Sequence, residues 1–528
     1  TASLINGIYS QILGNHLRGF HHSVQKLQEG IVSATIDTFM QILNTSCFLP
    51  SAPKFHYQFN LRAISSIFQG LLKTASGLYR DGACRFIQVW LHECLRTYSD
   101  RLINTHDQFE LRTILERACS KHFAGISKEE LFSDPFIVTS FVTQADGNDK
   151  AYVPVKDMTL LKKVVESKLS EHNESHAAMD LVLFADAIAH TCRISRIIDN
   201  PCGNALLIGV GGSGKQSLGR LASFINAQDV FRILVNQSYG MSELKGDLQD
   251  IYKKAALKPA LPLAFMMTDG QIADNRFLVY INDMLSSGCI PDLFNREEYD
   301  ALFGTLRIYA KNAGYTDDRE GHFAYFTDKV RQNLHFILCH SPVGDTFRIR
   351  GRKFPALISC MGMDVFLAWP RDALEGVAKR SLACLRDKGK IGDMSAFEAV
   401  ACSMAEVHLS IEFANNRFLI EERRYNYATP KSFLELISFY VQMICDRQSA
   451  VAFNIERLES GLTIMEQVQQ KVQGLKDELK IKMMSVDEKK VATAALIEQV
   501  TKASADASAK KEIASVEESK TSQLAYEA

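Results

Sequence analysis

The sequence predicts an α/β fold: a parallel sheet with helices on both faces, a helical unit before it and one long helix after it. Three observations lead there. Short β-rich runs, ALLIGV, VFRILV, PLAFMMTD and LHFILC, alternate with helical segments between about Asp134 and Arg386, an alternation that builds parallel sheets. One run, from Ala205, breaks into glycines, reaches Lys215 and resumes as a helix. After Pro430 there is no further proline, and the only glycines are Gly461 and Gly474, so little interrupts a terminal helix.

Each element follows from its local pattern. SLINGIYSQILGNHL and IVSATIDTFMQILNTS space apolar residues by threes and fours, and LRAISSIFQGLLK and CRFIQVWLHECLRTYSDRLI follow after the prolines of FLPSAPKFHY. That period marks helices, and residues 1–125 read as one helical unit. Residues 126–385 read as the α/β part. Residues 386–450, with AFEAVACSMAEVHLSIEF and PKSFLELISFYVQMI, read as a small helical part. In residues 451–528 the positions Leu458, Leu462, Met465, Val468, Val472, Leu475 and Leu479 form a coiled-coil seam, with a stutter between Met465 and Val468. At 1.5 Å per residue this helix would run on the order of 115 Å. It either packs back on the globular part or, as its thin stripe favours, pairs with a single helix.

Composition narrows the class. The 528 residues carry 60 basic and 61 acidic side chains, which argues against a nucleic-acid partner held by phosphate neutralisation. The twelve cysteines include no C-x-x-C pair, so reduced thiols in a cytosolic protein are expected rather than a disulfide framework or zinc site. No apolar run approaches the roughly 20 residues that span a bilayer, and no membrane partner is expected. The chain starts at Thr1 without methionine and stops within a helical pattern at SQLAYEA; it is expected to be a piece of something longer.

The chemistry concentrates at Gly209, Val210, Gly211, Gly212, Ser213, Gly214 and Lys215, which spell G-x-x-x-x-G-K. Glycines let successive amides converge on phosphate oxygens, and the lysine reaches the β and γ phosphates. A structural turn is the plain alternative. Gln216 follows the lysine where a serine or threonine hydroxyl would hold magnesium, and Ser217 comes one residue later. A second strand ends in Thr268-Asp269-Gly270, one carboxylate where two are usual; the same aspartate would also cap a turn. His340 and Ser341 end a third strand and are placed to sense a γ-phosphate, although His340 alone also reads as an interior histidine. FRIRGRKFPAL carries Arg348, Arg350, Arg352 and Lys353, either a solvated basic face or an arginine finger for a neighbouring module.

Together HYQFNLRAISSIFQGLL, NALLIGVGGSGKQSLGRLASFI, FMMTDGQI, LHFILCHSPVGDTFRIRGRKFPAL and SFYVQMICDRQSAVAFNIERLESGL resemble, in order and over nearly the whole chain, the motor region of axonemal dynein heavy chains. The resemblance implies the lid of the third AAA+ module, the whole fourth AAA+ P-loop module and the outgoing stalk helix, with the returning helix and microtubule-binding tip beyond Ala528. It implies ATP or ADP with Mg2+ as ligands, held by the phosphate loop through Ser217. Gln216, Ser217, Thr268 and Asp269 would stand around the metal, and Asp269 at the catalytic position. Arg352 resembles the finger pointed into the third site, Arg62 the lid arginine of that site, and Lys431 the lid cation of the fourth. Partners implied are the other AAA+ modules, the returning stalk helix, microtubules, and dynein intermediate and light chains. The setting implied is cytoplasmic and cytoskeletal, in the axoneme of a cilium or flagellum.

Gln216 and the missing second acid weaken metal positioning and water activation but leave the loop amides and Lys215, so binding with slow hydrolysis is expected. A chromosome-organising (SMC-like) ATPase also joins a P-loop to a long coiled coil. It needs a signature helix that binds nucleotide across a dimer, and no such motif is seen. A structural module with an unused loop is the third possibility.

Overall fold

The computed structural model describes residues 2–79, 82–123, 126, 128–132, 136–142, 152–155, 157–179, 181–236, 239–257, 260–387 and 394–526. Asp134 and Gly125, at sequence boundaries drawn above, lie outside these, as does Ala528. The chain divides into two units, Thr1–Phe439 and Tyr440–Ala528.

The first unit begins with helices α1 (Ala2–Leu17), α2 (His22–Gln25), α3 (Gln28–Asn44), α4 (Leu61–Leu71), α5 (Ala83–Tyr98), α6 (Thr105–His122) and α7 (Lys128–Leu131). Their apolar stripes meet around Trp90, which is fully buried and donates its indole N–H to Thr35 Oγ1 at 2.8 Å. An aromatic indole enters a core cheaply only when its N–H finds such a partner. A two-stranded antiparallel ribbon follows, β1 (Val138–Thr139) with β2 (Val153–Pro154).

The α/β part runs α8 (Met158–Ser175), α9 (Ala185–Ile198), β3 (Ala205–Ile208), α10 (Lys215–Ile225), β4 (Asp229–Arg232), α11 (Met241–Ala256), β5 (Leu263–Thr268), α12 (Phe277–Ser287), α13 (Arg296–Asn312), α14 (Arg319–Asn333), β6 (Leu334–His340), α15 (Thr346–Lys353), α16 (Ala356–Ser359) and β7 (Gly362–Val365). The sheet is parallel, in the order β4-β5-β6-β3-β7. Alternate residues serve opposite faces. Leu206, Phe265, Phe336 and Met363 join the core with α11 to α14, while Leu207, Met266 and Ile337 join the core with α8 to α10. Strands buried on both sides need apolar residues at every position, which is why they read as continuous runs. VFRILV was expected as one strand, but β4 stops at Arg232 and Leu234 is 86% exposed. As an edge strand it has only β5 to pair with, and that register ends at Arg232.

Helices α17 (Arg371–Asp387) and α18 (Met394–Glu422) come next, and α19 runs from Pro430 to Tyr526. Thr429 precedes Pro430 and accepts from Ser432 N–H at 3.3 Å, an N-cap with proline in the first turn. The terminal helix therefore starts well before residue 451. Its two glycines cost only about 1 kcal/mol each, too little to break it. Within the second unit the seam residues Leu458 to Leu479 are exposed.

Buried charge joins the first helices to the sheet. Glu93 of α5, with no exposed surface, accepts from Arg196 of α9 on both oxygens and from the Tyr152 hydroxyl. Nearby, Asp364 of β7 accepts from His190 at 2.7 Å and Arg193 at 3.3 Å, and Arg193 Nε lies 3.5 Å from Asp100 in the turn after α5. Gly70 of α4 leaves room for the Glu93 carboxylate: a Cβ there would lie 1.8 Å from Oε2.

Two expectations follow. Arg196→Met strands a buried carboxylate and is expected to cost about 3–5 kcal/mol, read as a lowered urea midpoint. His340 is 2% exposed, and burial lowers its pKa from 6.5 to about 4, with Asp269 pulling the other way and Arg350 and Lys215 pushing down. Its contribution is whole above pH 6.5. It is lost as pH falls toward 4, because the unfolded chain binds the proton first, on the order of 3 kcal/mol in all. His340→Gln is expected to flatten the stability–pH curve across that window, measured by urea melts at stepped pH.

Candidate functional site

A cleft of about 650 Å³ opens over the carboxyl ends of the strands, lined by Gly211 to Leu218, Arg220, Thr268, Asp269, Cys339 and Ser341. Crevices at that end of an open parallel sheet are where such folds take ligands, and the volume suits a nucleotide-sized molecule. Leu181, Val182, Phe184, Trp369, Val377 and Leu434 add an apolar wall.

The loop leaves β3 in register: Gly209 N–H donates to His340 C=O at 3.0 Å. It then turns through Gly212 at φ +82° and Gly214 at φ +87°, a left-handed backbone that side chains resist. Space forces the first glycine as well, since a Cβ there would lie 2.5 Å from Lys431 N. The curl turns Lys215 back onto its own loop, where Nζ donates to the carbonyls of Gly209 and Val210 and to Ser213 Oγ. Burial lowers the Lys215 pKa, and Cys339 and Asp269 oppose that.

The strand order places β6 between β3 and β5, so Asp269 and Ser341 become neighbours. Ser341 N–H donates to Asp269 Oδ2 at 3.0 Å, and Gly270 N–H to Oδ1 at 3.0 Å. Thr268 lines the cleft, but its hydroxyl and its N–H donate to Gln271 Oε1 at 3.1 and 2.8 Å. Gln216 Oε1 accepts from Arg232 at 3.3 Å.

Magnesium needs a near-octahedral set of oxygens, usually with one or two carboxylates. Of the four residues expected around it, the Gln216 oxygen is held by a guanidinium and the Thr268 hydroxyl serves Gln271. Asp269 accepts two backbone N–H groups and is the one carboxylate among the four. Among the described residues no cluster of three or more His, Cys, Asp or Glu could hold a metal ion. This donor set does not fit a protein-held magnesium.

Other expected residues divide. Ser341 lines the cleft, whereas His340 does not; its ring packs against Phe347 at 5.5 Å between centroids. Strand alternation separates the two. The Lys431 backbone abuts Gly212, but its side chain is 70% exposed and lies 3.6 Å from Glu435. Arg62 Nη1 donates to Ser359 C=O at 3.5 Å and meets Cys360 Sγ. Arg352 is exposed on α15, the helix where Gly351 and Phe347 pack against Phe55. So Arg62 and Arg352 belong to elements joined along one seam, apart from the cleft. Sequence reading missed Arg232, Arg220 and the apolar wall. Arg232 alone left a signal, as a cation inside the strand-like run VFRILV, at the residue where edge strand β4 ends.

A family model described as "P-loop containing dynein motor region D4" matches residues 179–443, and an "AAA+ lid domain" model matches residues 31–133. The ciliary dynein beta chain of Heliocidaris crassispina is 42% identical over 477 residues, 90% of this chain and 10% of that protein. Dynein axonemal heavy chain 17 of Homo sapiens is 41% identical over 515 residues, 97% of this chain and 11% of that protein. The flagellar outer arm dynein beta chain of Chlamydomonas reinhardtii is 42% identical over 504 residues, 95% and 11%. The chain thus spans about a tenth of the length of these relatives. These similarities do not support the chromosome-organising alternative. With its parallel five-stranded sheet, phosphate loop and lid helices, the chain belongs to the dynein heavy-chain family, in the AAA+ part of the motor region.

Proposed function

We propose that this chain is a nucleotide-binding segment of a microtubule-based motor, in which the site around Lys215 holds ATP or ADP as a regulatory ligand and hydrolyses it slowly or not at all. Residues 1–125 act as the lid of a preceding AAA+ module, 126–385 and 386–450 as the large and small parts of the next one, and 451–528 as a stalk helix that pairs with a returning partner. The relatives' names, ciliary, axonemal and flagellar, support work in an axoneme with the other AAA+ modules and the intermediate and light chains of a full complex. Arg62 and Arg352 serve a nucleotide held by the preceding module, which agrees with their position away from the cleft.

The observation that carries the proposal is the contrast at the phosphate end. The glycine-turned loop from Gly211 to Gly214 and Lys215 all line the cleft. Asp269 is the one carboxylate lining the cleft, among the described residues, and both its oxygens are tied to backbone N–H groups. Phosphoryl transfer needs positioned water and charge stabilisation, and one carboxylate supplies less of both than the usual pair of acids.

Two measurements test this. Lys215→Ala is expected to weaken mant-ATP binding by roughly tenfold or more, since a charge-assisted contact is lost. In single-turnover assays the unmodified chain is expected to release phosphate far below the ~1 s⁻¹ lower end of ordinary enzyme turnover. Turnover at or above that level would end the regulatory reading.

A further inference from the structure

We infer that Arg232 takes the place of the divalent cation at the phosphate end of the cleft, so that this site grips nucleotide without metal. The inference rests on the nucleotide-binding reading above and names what compensates the phosphate charge.

Gln216 follows the loop lysine, on the first turn of α10. Its side-chain oxygen is an acceptor and would make a serviceable metal ligand by itself. Here it accepts from a guanidinium that arrives from the end of β4 at 3.3 Å. A cation fixed on that oxygen repels a second one, and guanidinium binds phosphate oxygens through paired donors. Arg232 has donors to spare, because a guanidinium carries five N–H groups; it is also exposed, and its contact with Gln216, which lines the cleft, holds it at the edge of the site.

The surrounding charge agrees. Arg220, one turn along α10, lines the same cleft, and its buried Nε has no hydrogen-bond partner among the described residues. Burial lowers the Arg220 pKa, and repulsion from Arg232 lowers it further. Lys215, Arg220 and Arg232 therefore crowd positive charge about a cleft whose lining offers one carboxylate, Asp269. Like charges held together without an anion are costly. A polyphosphate relieves that cost directly, and a bound Mg2+ would add to it.

Mant-ADP titrations of the full chain, in excess Mg2+ and in excess EDTA, test the inference. The unmodified chain is expected to bind under both conditions with affinities within about threefold, while Arg232→Gln loses roughly tenfold or more in EDTA. Arg232→Lys, a cation without the planar fork, should fall between them. A tenfold or greater loss by the unmodified chain on chelation overturns the inference and leaves nucleotide binding standing. No binding under either condition overturns both. An Arg232→Gln chain that keeps its thermal melt and binds in EDTA like the unmodified one also overturns it. Should Arg232→Gln fail to fold, the unmodified chain's response to chelation decides alone.

Discussion

The cleft depends on backbone that only glycine adopts without strain. At Gly212 and Gly214 the chain turns left-handed, and this curl folds Lys215 over its own carbonyls. It also lets the start of α19 come so close that a Cβ at Gly212 would lie within bonding-repulsion range of Lys431. One local constraint thus sets both the floor of the site and how near the start of α19 approaches. Phosphate oxygens of the proposed nucleotide would give Lys215 stronger, charge-assisted acceptors than these loop carbonyls.

Around that floor, chemistry is distributed by strand order. Parallel β3, β6 and β5 lie side by side, so their carboxyl ends bring the loop, Ser341 and Asp269 together although 54 to 132 residues separate them in sequence. The fourth contributor, Arg232, comes from the edge strand beyond β5. A site assembled this way can change its electrostatics one strand end at a time.

Much of this was legible. Continuous apolar runs announced β3, β5 and β6 because both their faces are buried, and the glycine-lysine loop announced itself by spacing. Strand β7 escaped because it is four residues long and includes Asp364, whose charge reads as loop until His190 and Arg193 are seen to neutralise it. His340 and Ser341 could not be separated until alternation along β6 turned the histidine toward Phe347 and left the serine at the cleft. The Gln216–Arg232 bond spans sixteen residues and an intervening helix, a pairing no local period encodes. The early start of the terminal helix was masked by reading PKSFLELI as a separate packing segment, whereas the helix continues past it without a break.

The carboxylate of Glu93 has a practical consequence for anyone dissecting this protein. It occupies the space of a missing methyl on one helix, closes on a guanidinium from the helix that precedes the sheet and takes a tyrosine hydroxyl from the residue just before the ribbon's second strand. A scissor cut placed at the apparent seam, near residues 125 or 150, would leave a naked charge on each half. Fragments of dynein motors drawn by sequence borders here should therefore aggregate or melt, while those that carry the preceding helices along should remain intact.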